Sequence, residues 1–178
     1  MRPVVFTGPP GGGKTALLHA MAEQGFPIVT ESAREIIRTR REQGLDPRPA
    51  PFEFAREVLR RDTEKYEMAA SESGLVFFDR GVLDALGMLH ELAPLAQHEL
   101  DTFMSRYPYG GGAFFFPVWE TIYANDAERD QTMAQAREVE TKLLAWYRRC
   151  GYEIIELPRV SVAERCSYVL DSLRRKGA

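Results

Sequence analysis

The sequence predicts an α/β protein, a three-layer α/β/α sandwich on a mostly parallel five-stranded sheet, from three observations. Short apolar runs alternate with longer amphipathic stretches throughout the chain, the pattern of repeated βαβ units. The first apolar run leads into a glycine-rich segment, Gly8-Pro9-Pro10-Gly11-Gly12-Gly13-Lys14-Thr15, and then into a helical pattern. A later run, Leu75-Val76-Phe77-Phe78-Asp79, is apolar until it ends on an acid.

Taken in order, the expected strands are Pro3 to Thr7, Pro27 to Thr30, Leu75 to Asp79, Ala113 to Val118 and Tyr152 to Leu157, with about seven helices among them. Gly25 and Gly151 stand where a helix end needs a left-handed residue, and Ser32-x-x-Glu35 and Ser161-x-x-Glu164 read as capping boxes. Residues 44–51, rich in proline, read as a loop between two helices, too short to part domains. Gly110-Gly111-Gly112 reads as a turn, and Phe52, Phe54, Tyr66 and Met68 as core or semi-buried helix faces. With 44% hydrophobic residues, 1–178 is expected to form one domain.

The net charge of −3 argues against a protein that coats nucleic acid or an acidic membrane by bulk electrostatics. The cations divide into 19 Arg and 4 Lys, a skew that hints at discrete anion sites or simply reflects composition bias. Cys150 and Cys166 cannot build a disulfide framework, so a reducing, cytoplasmic setting is expected. The apolar stretch after Met1-Arg2-Pro3 is too short for a signal peptide, and no run approaches the length of a membrane span. His19, His90 and His98 lack metal-ligand spacing, so no zinc site is expected.

Residues 8–15 match G-x-x-x-x-G-K-[ST] between a strand and a helix, the setting a phosphate-binding loop requires. Gly8, Gly11, Gly12 and Gly13 let backbone N–H groups turn inward around phosphates. Lys14 reaches the β/γ oxygens, and the Thr15 hydroxyl suits Mg²⁺. Asp79 is placed to hold the same metal. Vigorous NTP hydrolases generally need a second acid next to it to activate water, and this chain has Arg80, which favours transfer to a substrate and would stabilise phosphoryl charge. Asp79 could otherwise be a strand-end cap, and Arg80 part of a structural ion pair.

The second strand ends at Thr30-Glu31, and Arg34, Arg38 and Arg41 follow on one helical face. In such sheets ligands bind at the carboxyl ends of the strands, so Glu31 is a candidate base or orienting acceptor for a substrate hydroxyl, and Arg34 a partner for an anionic group on it. The plainer alternative is helix-dipole compensation by Glu31 and a solvated face at Arg38 and Arg41. A lid is expected at about 119–131, with Arg129 as its first phosphate-closing candidate and Arg137 as its second. Arg159 could stack on the nucleotide base or belong to an ordinary helix-leading loop. No Asn-Lys-x-Asp signature is present, which weakens a GTPase reading but leaves GTP open as ligand. Asp84-Ala85-Leu86-Gly87 matches D-x-x-G inside a helix pattern and reads as chance.

Phe6-Thr7-Gly8 through Lys14-Thr15, Thr30-Glu31-x-x-Arg34-Glu35-Ile36-Ile37, Phe77-Phe78-Asp79-Arg80-Gly81-x-x-Asp84 and Gly151-Tyr152-x-x-Ile155-x-x-Pro158 together resemble the predicted-ATPase AAA-domain family that includes the ribosylnicotinamide kinase domain of the NAD regulator NadR. The resemblance runs from residue 2 to about 172 and implies a nucleoside-monophosphate-kinase-like fold. It implies Lys14 and Thr15 on nucleotide phosphate and Mg²⁺, Asp79 on metal or acceptor, and Glu31 on the acceptor. Deoxynucleoside kinases are similar here, with Glu-Arg-Ser where this chain has Asp-Arg-Gly. The length and helical second domain of a ring ATPase are missing.

The resulting expectation is a kinase that uses ATP and Mg²⁺ to phosphorylate a nucleoside, nucleotide or related metabolite. A switch or slow NTPase that binds ATP or GTP and signals to a protein partner through the Arg34-Arg38-Arg41 face is the alternative.

Overall fold

The computed structural model describes residues 1–122 and 132–177. Among them run the strands β1 (Arg2–Thr7), β2 (Ile28–Val29), β3 (Leu75–Asp79), β4 (Ala113–Phe115) and β5 (Ile154–Glu156). The helices are α1 (Lys14–Glu23), α2 (Ser32–Glu42), α3 (Pro51–Ala69), α4 (Val82–Leu92), α5 (Gln97–Arg106), α6 (Met133–Arg149) and α7 (Val162–Arg175). A short 3₁₀ turn at Glu120–Ile122 follows β4.

All strand pairs are parallel, in the order β2-β3-β1-β4-β5. Buried on both faces, such strands read as continuous apolar runs in which alternate residues serve opposite layers. Val4 and Phe6 pack with Phe77 and Phe114 against Leu17 and Met21 of α1 and Val169 and Leu173 of α7. Val5, Val76 and Phe78 face the other way, onto Tyr66 of α3, Leu83 and Leu86 of α4, Leu100 of α5 and Tyr147 of α6. The register sets Phe6 beside Asp79 and Val29 beside Phe78, so the segments leaving β1, β2 and β3 emerge side by side at one sheet edge.

The expected strands are all present, some of them shorter. Pairing continues past the ends of β4, where the Phe116 amide donates to Thr7 (2.9 Å), and of β5, where the Leu157 amide donates to Phe115 (2.8 Å). The chain has left the sheet by Val118, whose amide donates to the Glu140 carboxylate. Gly25 and Gly151 take the left-handed conformation expected of them, and Ser161 caps α7 reciprocally with Glu164. Ser32 departs from expectation. It is the first residue of α2 rather than its cap, is 2% exposed, and its Oγ has no formed hydrogen bond among the described residues, while Glu35 turns to the Thr30 hydroxyl and to Lys65.

Phe52 and Met68 also depart from expectation, at 43% and 77% exposure. The buried stripe of α3 is Ala55, Val58, Asp62, Tyr66 and Ala69, and both residues lie off it. At the sheet centre, Phe6 is fully buried and touches three aromatic rings, with centroids 5.2–5.8 Å away. Phe6→Ala should cost about 3–5 kcal/mol in urea unfolding, because the central strand cannot shift to refill the void.

Candidate functional site

Residues 8–13 form a loop between β1 and α1. Gly8 has φ of +138°, and a Cβ there would lie 2.3 Å from the Phe116 carbonyl, so only glycine lets the loop turn this close to the end of β4. Gly13, also left-handed, precedes α1, whose first turn carries no acid, leaving its amides and positive dipole end to the loop. Lys14 is 7% exposed and donates to the Gly8 and Pro9 carbonyls at 2.8 and 2.9 Å. Burial, aided by the Arg80 charge, lowers its pKa to about 7 against the opposing pull of Asp79, Glu31 and Asp84.

Arg80, directly after β3, ties three segments together. Its backbone is left-handed, with φ of 64°, a conformation that costs a non-glycine residue roughly 1–2 kcal/mol. The amide donates to Phe6 (2.8 Å), and the guanidinium donates to Glu31 Oε1 (3.2 Å), Asp84 Oδ1 (3.1 Å) and the Gly8 carbonyl (2.9 Å). These bonds hold an otherwise unfavourable backbone geometry. Burial alone would raise the pKa of Glu31; Arg80, Lys14 and Arg34 outweigh it and hold the carboxyl below its ordinary value. Arg34 sits 3.4 Å from the other Glu31 oxygen.

Asp84 is 5% exposed and fully engaged, accepting from Thr7 Oγ1 (2.7 Å), Arg80 and Tyr147 Oη (2.6 Å). Gly81 between them is required sterically. A Cβ there would lie 2.2 Å from Tyr109 Oη, which accepts from the Val82 amide. That contact explains why this chain has Gly where the deoxynucleoside-kinase pattern has Ser.

Asp79 differs from its neighbours. Burial raises its pKa, Lys14 is its strongest opposing charge, and its Oδ1 is buried with no hydrogen-bond partner among the described residues. An orphaned carboxylate oxygen beside the phosphate loop suits a group that a hydrated divalent cation would complete.

A cleft of about 840 Å³ runs from this loop between α2, α3, α4 and α6. Gly11, Gly13, Lys14, Thr15, Glu31, Arg34 and Arg80 all line it, so most of the residues expected from sequence come together. Gly8 and Gly12 lie beneath, in the loop's packing against Phe116. Arg38 and Arg41 are exposed on α2. Arg137 pairs with Glu120, and Arg159 donates both Nε and Nη2 to the Val118 carbonyl, away from the cleft. Arg129 and most of the expected lid at 119–131 lie outside the described residues.

Sequence reasoning missed Asp62, Ser32, Arg165 and the roles of Asp84 and Tyr147. Arg165 of α7 is 3% exposed, donates to the Gly12 carbonyl (3.1 Å) and lies 5.3 Å from the Trp119 ring centroid, bracing the loop from behind. Asp62 lines the cleft at 8% exposure, and burial raises its pKa to about 7, with Ser32 and Lys65 pulling down and Asp84 and Glu31 pushing up. A signal existed: Asp62 and Arg165 each interrupt the buried stripe of an amphipathic helix.

The model of an AAA-domain family matches residues 3–165. The chain belongs to this AAA-domain family. No curated protein sequence matches it. Solved structures similar to it include a deoxyadenosine kinase from M. mycoides with products dCMP and a flexible dCDP bound, at TM-score 0.67 and 13% identity over 97% of this chain and 99% of that one. A shikimate kinase from Aquifex aeolicus superposes at TM-score 0.58 with 13% identity over 98% of both chains. The YorR protein of Bacillus subtilis, in complex with phosphorylated GDP, gives TM-score 0.56 with 14% identity over 97% of both. The AAA-domain chain thus has the α/β fold of the small P-loop kinases.

Asp62 gives this fold a defined pH dependence. An unfolded Asp titrates near 3.8 and the native one near 7, so between those values the native state holds a proton that the unfolded state has released. Stability should therefore fall as pH rises from about 4 to 7 through this residue. Urea midpoints at pH 5 and pH 8 should differ less in Asp62→Asn than in the wild type.

Proposed function

We propose that the protein is an ATP- and Mg²⁺-dependent kinase, acting as one domain, that transfers the γ-phosphoryl group to a hydroxyl of a nucleoside, nucleotide or related metabolite. The observation that carries this reading is the continuous cleft, which leads from Lys14 past Glu31 and Arg80 into a chamber between four helices. A hydrolase needs space for a water beside its γ-phosphate; this cleft has room for a second organic reactant. The fold shared with the deoxyadenosine and shikimate kinases supports it.

In this reading the loop amides and the start of α1 cradle the nucleotide phosphates. Lys14 exchanges its two carbonyl partners for β/γ oxygens. Bound phosphate restores full charge to a lysine that burial has depressed. Thr15 and Asp79 would hold Mg²⁺, which when bound neutralises charge on the β/γ phosphoryl oxygens. Arg80 already has its guanidinium at the Gly8 carbonyl, on the rim of the phosphate site, and stabilises transferring charge from there.

Glu31 orients the acceptor hydroxyl. Its depressed pKa keeps it ionised, so it accepts the hydroxyl hydrogen bond and turns the oxygen toward phosphorus. Arg34, at the cleft wall and paired to Glu31, limits how that carboxylate turns.

Lys14→Ala should abolish Mg-ATP binding in calorimetry; unchanged affinity would remove the phosphate-loop assignment. A panel of nucleosides and nucleotides should contain an acceptor that stimulates ADP formation and gives a phosphorylated product by mass spectrometry. Uniform slow hydrolysis without product would point to the nucleotide switch instead. With that acceptor, Glu31→Gln should lower kcat by about 10²-fold or more while leaving Mg-ATP affinity within about threefold.

A further inference from the structure

Asp62 and Ser32 have no part in the phosphoryl-transfer steps, yet both line the same cleft. Asp62 comes from the middle of α3 and Ser32 from the first turn of α2, at 8% and 2% exposure. They are neighbours, close enough for the hydroxyl to temper the titration of Asp62, and Ser32 Oγ has no formed hydrogen bond among the described residues. Val58 and Ile37 line the cleft with them. Buried polar groups are almost always paired, so a hydroxyl without a formed hydrogen bond and a neighbouring buried carboxyl with no ion pair among the described residues, side by side on the cleft wall, call for a ligand.

The remaining carboxylates of the inner wall are already engaged. Glu31 is held by Arg80 and Arg34, and Asp84 by Thr7, Arg80 and Tyr147. The charged groups that act most on Asp62 are Glu31 at the start of α2, Asp84 on α4 and Lys65 on its own helix; Arg34, Arg48 and Arg80 also line the cleft, while the adjacent strand β2 is Ile28-Val29 and carries no charge. Burial away from water, with these acids adding to it, outweighs Lys65 and favours the protonated carboxyl. A neutral carboxyl and a hydroxyl each donate and accept, and so complement an uncharged edge that also does both.

We propose that Asp62 and Ser32 are the specificity-determining pair of the acceptor pocket, and that the acceptor presents to them a lactam edge, N–H beside C=O, as carried by an oxo-purine or oxo-pyrimidine base. This deepens the kinase reading of the cleft and rests on it.

Calorimetric titration of the full chain with inosine, uridine and purine riboside tests the pair, since purine riboside lacks the lactam edge but keeps the ring and ribose. Inosine or uridine should bind at least tenfold more tightly than purine riboside, because a site built to hydrogen-bond an edge rejects the analogue without it. Asp62→Asn keeps a donor and an acceptor and should stay within about threefold, while Asp62→Leu should lose roughly tenfold or more. Wild-type affinity for the lactam compound should fall as pH rises past about 7, and that of Asp62→Asn should not, a difference that a purely structural role would not produce. Equal binding of inosine and purine riboside, no binding of either lactam compound, or a pH profile shared by wild type and Asp62→Asn would each overturn the proposal. Mg-ATP affinity, measured on the same samples, should be unchanged by either substitution. Its absence in the wild type would remove the kinase reading itself and leave the nucleoside result separately readable.

Discussion

The guanidinium of Arg80 is the point on which the site depends. Glu31, Asp84 and the Gly8 carbonyl lie up to 72 positions from Arg80 in sequence, and its one side chain binds all three. The parallel register makes this feasible by releasing β1, β2 and β3 at the same edge, with Phe6 level with Asp79. The left-handed backbone at Arg80 follows from holding its amide on Phe6 while its side chain spans the three partners. Removing one acid would leave a buried cation short of compensation, and removing the arginine would leave Glu31 and Asp84 without their shared partner. A network of this kind contributes little net stability over an apolar alternative, so its value lies in fixing geometry before any ligand arrives.

The far wall of the cleft is set by packing instead of charge. Trp146 of α6 donates to the Leu83 carbonyl of α4 at 2.7 Å and lies where a Cβ at Gly87 would come within 3.0 Å of its indole. The His90 ring sits 5.0 Å from the indole centroid, one turn further along α4. Glycine at 87 thus lets the two helices approach, and that approach sets the width of the chamber that Asp62 and Ser32 face from the other side. Asp84 and Gly87, which match a D-x-x-G string only by coincidence of spacing, both serve the cleft from within a helix, one by charge and one by absence of a side chain.

The parts legible in sequence were those with local cause. The five strands announce themselves because a sheet covered on both faces needs unbroken apolar runs, and the phosphate loop because its glycines answer to backbone geometry within eight residues. The placement of Asp79 and Arg80 was legible because β3 ends on one and is followed by the other, and that of Glu31 because it follows β2 within two residues, at the same edge of the sheet. Asp62, Arg165 and Tyr147 were not, because their roles exist only once helices distant in sequence pack together. Ser32 shows the same limit in a different form: its spacing to Glu35 fits a capping box, but Thr30 and Lys65 claim Glu35, and the hydroxyl is buried toward α3. Arg159, six positions before the buried Arg165, carries an equivalent charge but finds the Val118 carbonyl, a choice that spacing alone does not reveal.

A carboxylate held below its ordinary pKa is a poor proton abstractor, which would count against Glu31 if the reaction required a strong nucleophile. Phosphoryl transfer through a loose transition state does not, because bonding to the incoming oxygen lags behind departure of the leaving group and the hydroxyl proton moves late. On the proposed kinase reading, what the acceptor needs is alignment and a hydrogen-bond acceptor that stays ionised across the working range. Arg80 supplies that condition to Glu31 by the same contact that anchors Asp84 and the phosphate loop. The network that fixes the geometry therefore also fixes the protonation state, and a base with a higher pKa at position 31 would require weakening the contacts that hold the site together.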